Sequence, residues 1–244
     1  GRKGRDFSEI VADAVRADGY RKIGLPPQAW ALYKRFKEAG LKPVPLVDNP
    51  VEKCRLTKDA DEIRALRQAQ TDSETLTENV VKMIRGNENR KGRMDVGGIK
   101  REILMEANEK GLYFPFARSF IMSSGTNTTL LHYFGSDNDE LEENEPIVID
   151  MVSRNVETLY CANITRTIVK GKLTRELKGV YRTVLEASNK MYDSLEPEME
   201  VEELYDIGAK VLGNKKGYEL KHALGHGVGL ELHEGPQLVN GYEG

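Results

Sequence analysis

No stretch of this sequence approaches the ~20 consecutive apolar residues of a membrane-spanning helix, and the opening GRKGRDFSEI lacks the apolar core of a secretory signal. A membrane span is therefore not expected. Cysteine is nearly absent: Cys54 and Cys161 are the only two in 244 residues, far apart and without metal-ligand or redox spacing. That excludes a disulfide framework and leaves free structural thiols in a reducing, cytoplasmic compartment as the expectation. Strong charge of one sign is also missing. Lys and Arg total 36 against 39 Asp and Glu, a net charge of -3, so neither nucleic acid nor a membrane surface is indicated as a partner. The basic runs at residues 1–5 and 89–93 sit beside Gly and Asn and read as solvated loops. There is no tandem repeat or low-complexity tract.

What is present is an ordinary globular composition, 39% hydrophobic and 31% charged, in a chain long enough to bury a substantial core. Length alone allows one large domain, or a small domain followed by a larger one. Residues 8–47 alternate helical and strand patterns, with a helix opened by Pro27 and stopped by Gly40. Two strands are too few for a complete α/β domain. A turn cluster at residues 48–54 then precedes a long charged helix, running from after Thr57 to Gly86, with Ile63, Leu66, Leu76, Val80 and Ile84 on one face. A second helix over residues 95–110 leads to a strand in FARSFIMSSG. From Pro146 a β-hairpin is expected, PIVIDMVSR against ETLYCANITRTIVKG, rich in β-branched and aromatic residues. Helices over 174–195 and 201–215 follow, and residues 218–233 read as a glycine-bent strand pair.

The chemistry lies in the histidines. There are four, and His222, His226 and His233 fall within HALGHGVGLELHEGP, where Gly225, Gly227 and Gly229 let backbone and ligands approach closely. Neutral imidazoles bind divalent metals, and others nearby move protons near neutral pH. The alternative, strand histidines with ordinary hydrogen bonds, suits one isolated residue better than three so grouped. The glycines are not a dinucleotide fingerprint, which would open a helix and be followed ~20 residues later by an acidic residue. The motif of two histidines around a glutamate on one helix is also absent.

HALGHGVGLELHEGP resembles the histidine segment of the Xaa-Pro aminopeptidase (aminopeptidase P), prolidase and creatinase family, which shares its pita-bread fold with methionine aminopeptidase. SSGTNTTLLHYFG and DMVSRNVETLYCANITRTIVKG, ending in Thr165-Arg166-Thr167, resemble further segments of it, so the likeness covers residues 55–244. The resemblance implies an α+β pita-bread peptidase domain over 55–244, truncated before its last strands. Residues 1–54 would be the C-terminal part of a creatinase-like N-terminal α/β domain. It also implies two divalent metal ions (Mn, Co or Zn), a metal-activated water, proline-containing peptide substrates and a homodimer. Residue by residue, Asp150 matches the first aspartate ligand, Asn163 stands at the second, and His226 matches the histidine ligand. His132, His222 and His233 match the histidines that bind substrate, shuttle protons or steady the tetrahedral intermediate.

This sequence departs from the family pattern in three ways. Asp150 precedes Asn163 by 13 positions, more than the commoner family spacing, so extra residues are expected in the hairpin turn. Asn163 offers an amide oxygen without a carboxylate's charge, which weakens one metal subsite. The family's two glutamate ligands are expected beyond Gly244; Glu231 and Glu234 belong to the histidine motif and do not replace them. The chain is therefore expected to be a piece of a longer protein. Two functions follow from the resemblance: an Xaa-Pro exopeptidase, or a catalytically impaired homologue that keeps the cleft to bind peptide or protein partners. Creatinase, which needs no metal, would leave Asp150 and His226 unexplained.

Overall fold

The computed structural model describes residues 6–26, 29–86, 95–116, 118–213 and 222–241. Two compact units divide the chain, Gly1–Thr57 and Lys58–Gly244. In the first, α1 (Phe7–Ala17), β1 (Lys22–Leu25), α2 (Trp30–Glu38) and β2 (Lys42–Pro45) form a β-α-β unit whose two strands pair in parallel, Lys22 opposite Lys42. A small core of Ala12, Leu25, Phe36 and Leu41 holds it together. Gly40 closes α2 at a φ of +82°, a left-handed turn that glycine makes without steric cost; Pro27 lies outside the described residues. The turn expected at residues 48–54 is instead a short helix, α3 (Pro50–Leu56). Asn49 caps it by accepting the Val51 N–H at 3.1 Å, and Pro50 supplies a preset first-turn φ. These signals outweigh the turn-like composition, and the units part after Thr57.

The second unit begins with α4 (Ala60–Gly86) and α5 (Val96–Glu109), whose Asp95 N-cap accepts from Gly98 N–H. Its main sheet comprises β3 (Leu112–Tyr113), β4 (Phe120–Ser124), β5 (Pro146–Asn155) and β6 (Cys161–Val169). The long strand β5 is central. β6 pairs antiparallel along one edge, and β3 and β4 share the other. Alternate residues of β5, Ile147, Ile149 and Met151, point into a core with Ile164 of β6, Met122 of β4, Leu76, Val80 and Ile84 of α4 and Ile99 and Ile103 of α5. Each such side chain contributes about 1.5–3 kcal/mol on burial. The core meets only the later turns of α4. Ile63, expected on the same face, remains 42% exposed.

Because side chains alternate across a strand, burying Ile149 and Met151 turns Asp150 to the opposite face. There it faces Thr165, its direct partner in the hairpin register, with Asn163 one pleat further along the same face of β6. The remaining elements are α6 (Arg175–Ser194), α7 (Val201–Gly213), β7 (Gly225–Gly227) and β8 (Glu234–Leu238). The strand pair expected within residues 218–233 therefore differs from the observed one. Among the described residues of that span only Gly225–Gly227 is a strand, and its partner begins at Glu234, leaving His233 on the connecting loop. Close approach explains the glycine at 227: a Cβ there would lie on the carbonyl oxygen of Gly235.

Candidate active site

Three side chains from two strands and the glycine-rich segment meet on the outer face of the hairpin. The Asn163 amide nitrogen donates to Asp150 Oδ1 at 3.0 Å and lies 3.4 Å from the Met151 carbonyl. Thr165 Oγ1 donates to the same Asp150 oxygen at 2.9 Å. On the other side of the amide, Asn163 Oδ1 is 3.2 Å from His226 Nε2, while His226 Nδ1 faces the Gly227 carbonyl at 2.8 Å. The tautomer with its proton on Nδ1 therefore leaves the Nε2 lone pair directed at the site.

The His233 ring packs edge-on against His226, with centroids 4.4 Å apart. Its pKa is lowered from 6.5, first by burial and then by the neighbouring His226 and His132, with Asp150 acting in the opposite direction. In the folded chain the His233 proton is thus held more weakly than in the unfolded one. Stability gained from the neutral ring is present above pH 6.5 and lost as pH falls through the lower folded value. In chelator-treated protein we expect the His233 Cε1–H resonance to titrate below 6.5. His226→Ala should move that midpoint upward; an unchanged midpoint would break the proposed coupling of the two rings.

His132 follows a 3-10 turn at Gly125–Thr129, is exposed, and adopts a φ of 60°. Such left-handed backbone costs a non-glycine residue about 1–2 kcal/mol. His222 is exposed, with Nδ1 2.6 Å from the Ala223 carbonyl. It is outside the Asp150–Asn163–His226 hydrogen-bonded chain. Together with His226 it borders an open apolar cavity of about 750 Å³, walled by Val184, Met191, Leu204 and Leu238 among others.

The loop carrying His233 is fastened by residues with no local signal in the sequence. Lys58 Nζ forms an ion pair with Glu234 at 2.9 Å, their side chains only 14% and 7% exposed. Glu234 also accepts the Glu231 N–H at 3.1 Å, and Gly229 makes room for its carboxylate. Arg154, at the turn end of β5, donates to the Leu230 carbonyl at 2.6 Å and to Cys161 Sγ at 3.3 Å, and approaches Glu231 at 3.4 Å. Cys161 N–H donates to the Gly229 carbonyl at 2.8 Å, completing the attachment of the hairpin to the loop. Burial is the main influence on the Cys161 thiol and pushes its pKa up, as expected of a structural cysteine.

The donor set fits one divalent cation: a carboxylate, an amide oxygen and an imidazole. Among the described residues no group of three or more His, Cys, Asp and Glu side chains is placed to hold a metal, so the Asn163 oxygen is needed as the third donor. Glu231 and Glu234 are engaged with Arg154 and Lys58. Among the described residues no helix is long and apolar enough to cross a membrane.

Comparison with known proteins gives a consistent result. Residues 64–244 match the model of metallopeptidase family M24. The chain is 30% identical over 203 residues to an Xaa-Pro dipeptidase of Pyrococcus horikoshii, covering 83% of this chain and 55% of that protein. It is 31% identical over 213 residues to an Xaa-Pro dipeptidase of Pyrococcus furiosus, covering 86% and 58%. The chain thus spans little more than half the length of these curated relatives. Among solved structures, an X-Pro aminopeptidase from Thermotoga maritima superposes with a TM-score of 0.81 at 28% identity, covering 99% of this chain and 67% of that one. A prolidase from Pyrococcus furiosus gives 0.83 at 25% identity, covering 99% and 68%. The α+β pita-bread fold implied by the hairpin and histidine segments is the fold of this chain.

Proposed function

Because the chain belongs to metallopeptidase family M24, we propose that it carries part of the active centre of a metal-dependent exopeptidase cleaving Xaa-Pro bonds, as an aminopeptidase or a dipeptidase. The family's cofactor is a divalent metal. Asp150, Asn163 and His226 would hold it here, with manganese, cobalt or zinc as the ions suited to such a donor set. The carrying observation is that Asn163 stands within hydrogen-bond distance of both Asp150 and His226, 13 and 63 positions away along the chain.

A bound divalent cation polarises a carbonyl and makes hydroxide available near neutral pH. The chain's own groups do the rest. Thr165 and Asn163 fix the Asp150 carboxylate, and Gly227 orients the His226 ring. His233, neutral at pH 7 because burial and adjacent imidazoles lower its pKa, is able to accept a proton at its ring. His132 and His222 present exposed imidazoles for substrate binding. The largely apolar cavity beside His222 and His226 gives one flank of the site an apolar wall that includes Val184, Met191, Leu204 and Leu238. We assign residues 1–54 to an N-terminal α/β domain and expect a homodimer in a reducing, cytoplasmic setting.

Asn163 favours a second reading, a homologue that binds proline-containing peptides without cleaving them. Incubating the protein as it occurs in the cell with Mn²⁺ and Ala-Pro or Ala-Pro-Ala distinguishes these readings. Free alanine released from either peptide supports the enzyme, and the peptide used identifies dipeptidase or aminopeptidase action. Binding of both peptides without release of any amino acid would establish the second reading instead.

A further inference from the structure

We propose that Asn163 makes this a one-ion centre: its amide nitrogen closes off Asp150 Oδ1, and its amide oxygen joins His226 Nε2 in receiving a single divalent cation. The inference rests on the metallopeptidase reading and specifies its metal stoichiometry.

The nitrogen end carries the first part. Asp150 Oδ1 accepts from both Asn163 Nδ2, at 3.0 Å, and Thr165 Oγ1, at 2.9 Å. A carboxylate oxygen offers about two acceptor directions. Both are used, and Oδ2 is the oxygen left for a metal. A carboxylate at position 163 would set one negative oxygen against another at a similar separation, a contact that is relieved only by a cation or a proton between them. The amide replaces that requirement with a hydrogen bond. The place where two carboxylates would call for a further ion is thereby filled by the protein itself.

The oxygen end carries the second part. Asn163 Oδ1 and His226 Nε2 lie 3.2 Å apart, and His226 Nδ1 faces the Gly227 carbonyl. With the ring proton donated to Gly227, an oxygen lone pair and a nitrogen lone pair face each other, an arrangement complementary to a cation. The amide orientation follows from its surroundings. Rotating it would turn its oxygen toward both Asp150 Oδ1 and the Met151 carbonyl, each an acceptor. Among the described residues the donor set carries one negative charge, from Asp150, so these three donors bind more weakly than the same set with a carboxylate at position 163.

The test is a titration of the chelator-stripped full-length chain with Mn²⁺ by calorimetry, with bound metal counted independently by elemental analysis. One ion per chain is expected, and Asn163→Asp should tighten its binding by about tenfold or more through the added ligand charge. Two ions per native chain, or none up to millimolar Mn²⁺, would overturn the proposal, as would equal affinity in the folded variant. Should Asn163→Asp fail to fold in chelator and fold on addition of Mn²⁺, the expected carboxylate clash is supported. Should it fold under neither condition, the native stoichiometry decides. These readouts do not use turnover. Absence of Xaa-Pro cleavage with one bound ion would remove the enzyme reading alone, and cleavage with two bound ions would remove only the one-ion centre.

Discussion

His226→Ala is expected, on the proposed exopeptidase reading, to reduce Xaa-Pro hydrolysis by about a thousandfold, corresponding to roughly 4 kcal/mol of transition-state stabilisation of the kind a bound metal supplies. His226 contributes the one imidazole whose Nε2 faces the Asn163 oxygen, and its backbone lies on β7, where glycines rather than its side chain set the strand spacing. Folding stability should therefore change much less than activity. The measurement is kcat/KM for Ala-Pro at saturating Mn²⁺, beside a denaturant melt of the same preparation. Activity within tenfold of the native protein would remove His226 from the metal site. A collapse of stability equal to the loss of activity would recast it as a structural residue.

Lys58→Met is expected to destabilise the second unit by on the order of 3 kcal/mol, because it removes the cation beside a carboxylate buried in protein. Glu234 is 7% exposed, Lys58 is 14% exposed, and their contact is 2.9 Å. Solvent screening, which reduces exposed pairs to at most about 1 kcal/mol, is largely excluded here. Methionine retains the apolar stem of lysine, so the loss reports charge more than packing. Urea unfolding of the native chain, Lys58→Met and the double variant with Glu234→Gln measures the effect. The double variant should recover part of the lost stability, since it no longer buries a carboxylate. A loss below about 1 kcal/mol in the single variant would show that the pair behaves as a surface pair.

The sequence reveals those parts of the fold that depend on local periodicity. Alternating apolar residues in PIVIDMVSR and the matching arm place Asp150 on one face of a hairpin, and the structure finds it there opposite Thr165. The Asp95 cap and the glycine at 111, with φ +69°, mark both ends of α5. The histidine segment marks candidate groups for chemistry, and the fold brings two of them, His226 and His233, ring to ring. The role of Thr165 becomes visible only once the hairpin register is known, because the lengthened turn decides which residue faces Asp150. Arg154 and Lys58 had no signal of their own. Each is a charged residue among many, and only tertiary structure brings them to residues 230–234. The β7–β8 pairing lacks a local signal for a related reason. Glycines at 225, 227 and 229 suggest two strands close together, yet the partner lies beyond His233 in a segment containing Pro236, which disfavours a strand assignment by propensity alone.

The Lys58–Glu234 pair joins positions separated by 176 residues, nearly the full span of the second unit. Contacts so distant along the chain form only after the entropy of closing a very long loop has been overcome, whereas the β5–β6 hairpin closes across a short turn. The half of the centre on that hairpin, Asp150 and Asn163, can thus assemble early. The half containing His226 and His233 waits for the two ends of the unit to meet. During refolding, the Asp150 face is expected to form with local structure and the complete set of side chains only with global closure, so that a partly folded chain would carry the carboxylate without its imidazoles.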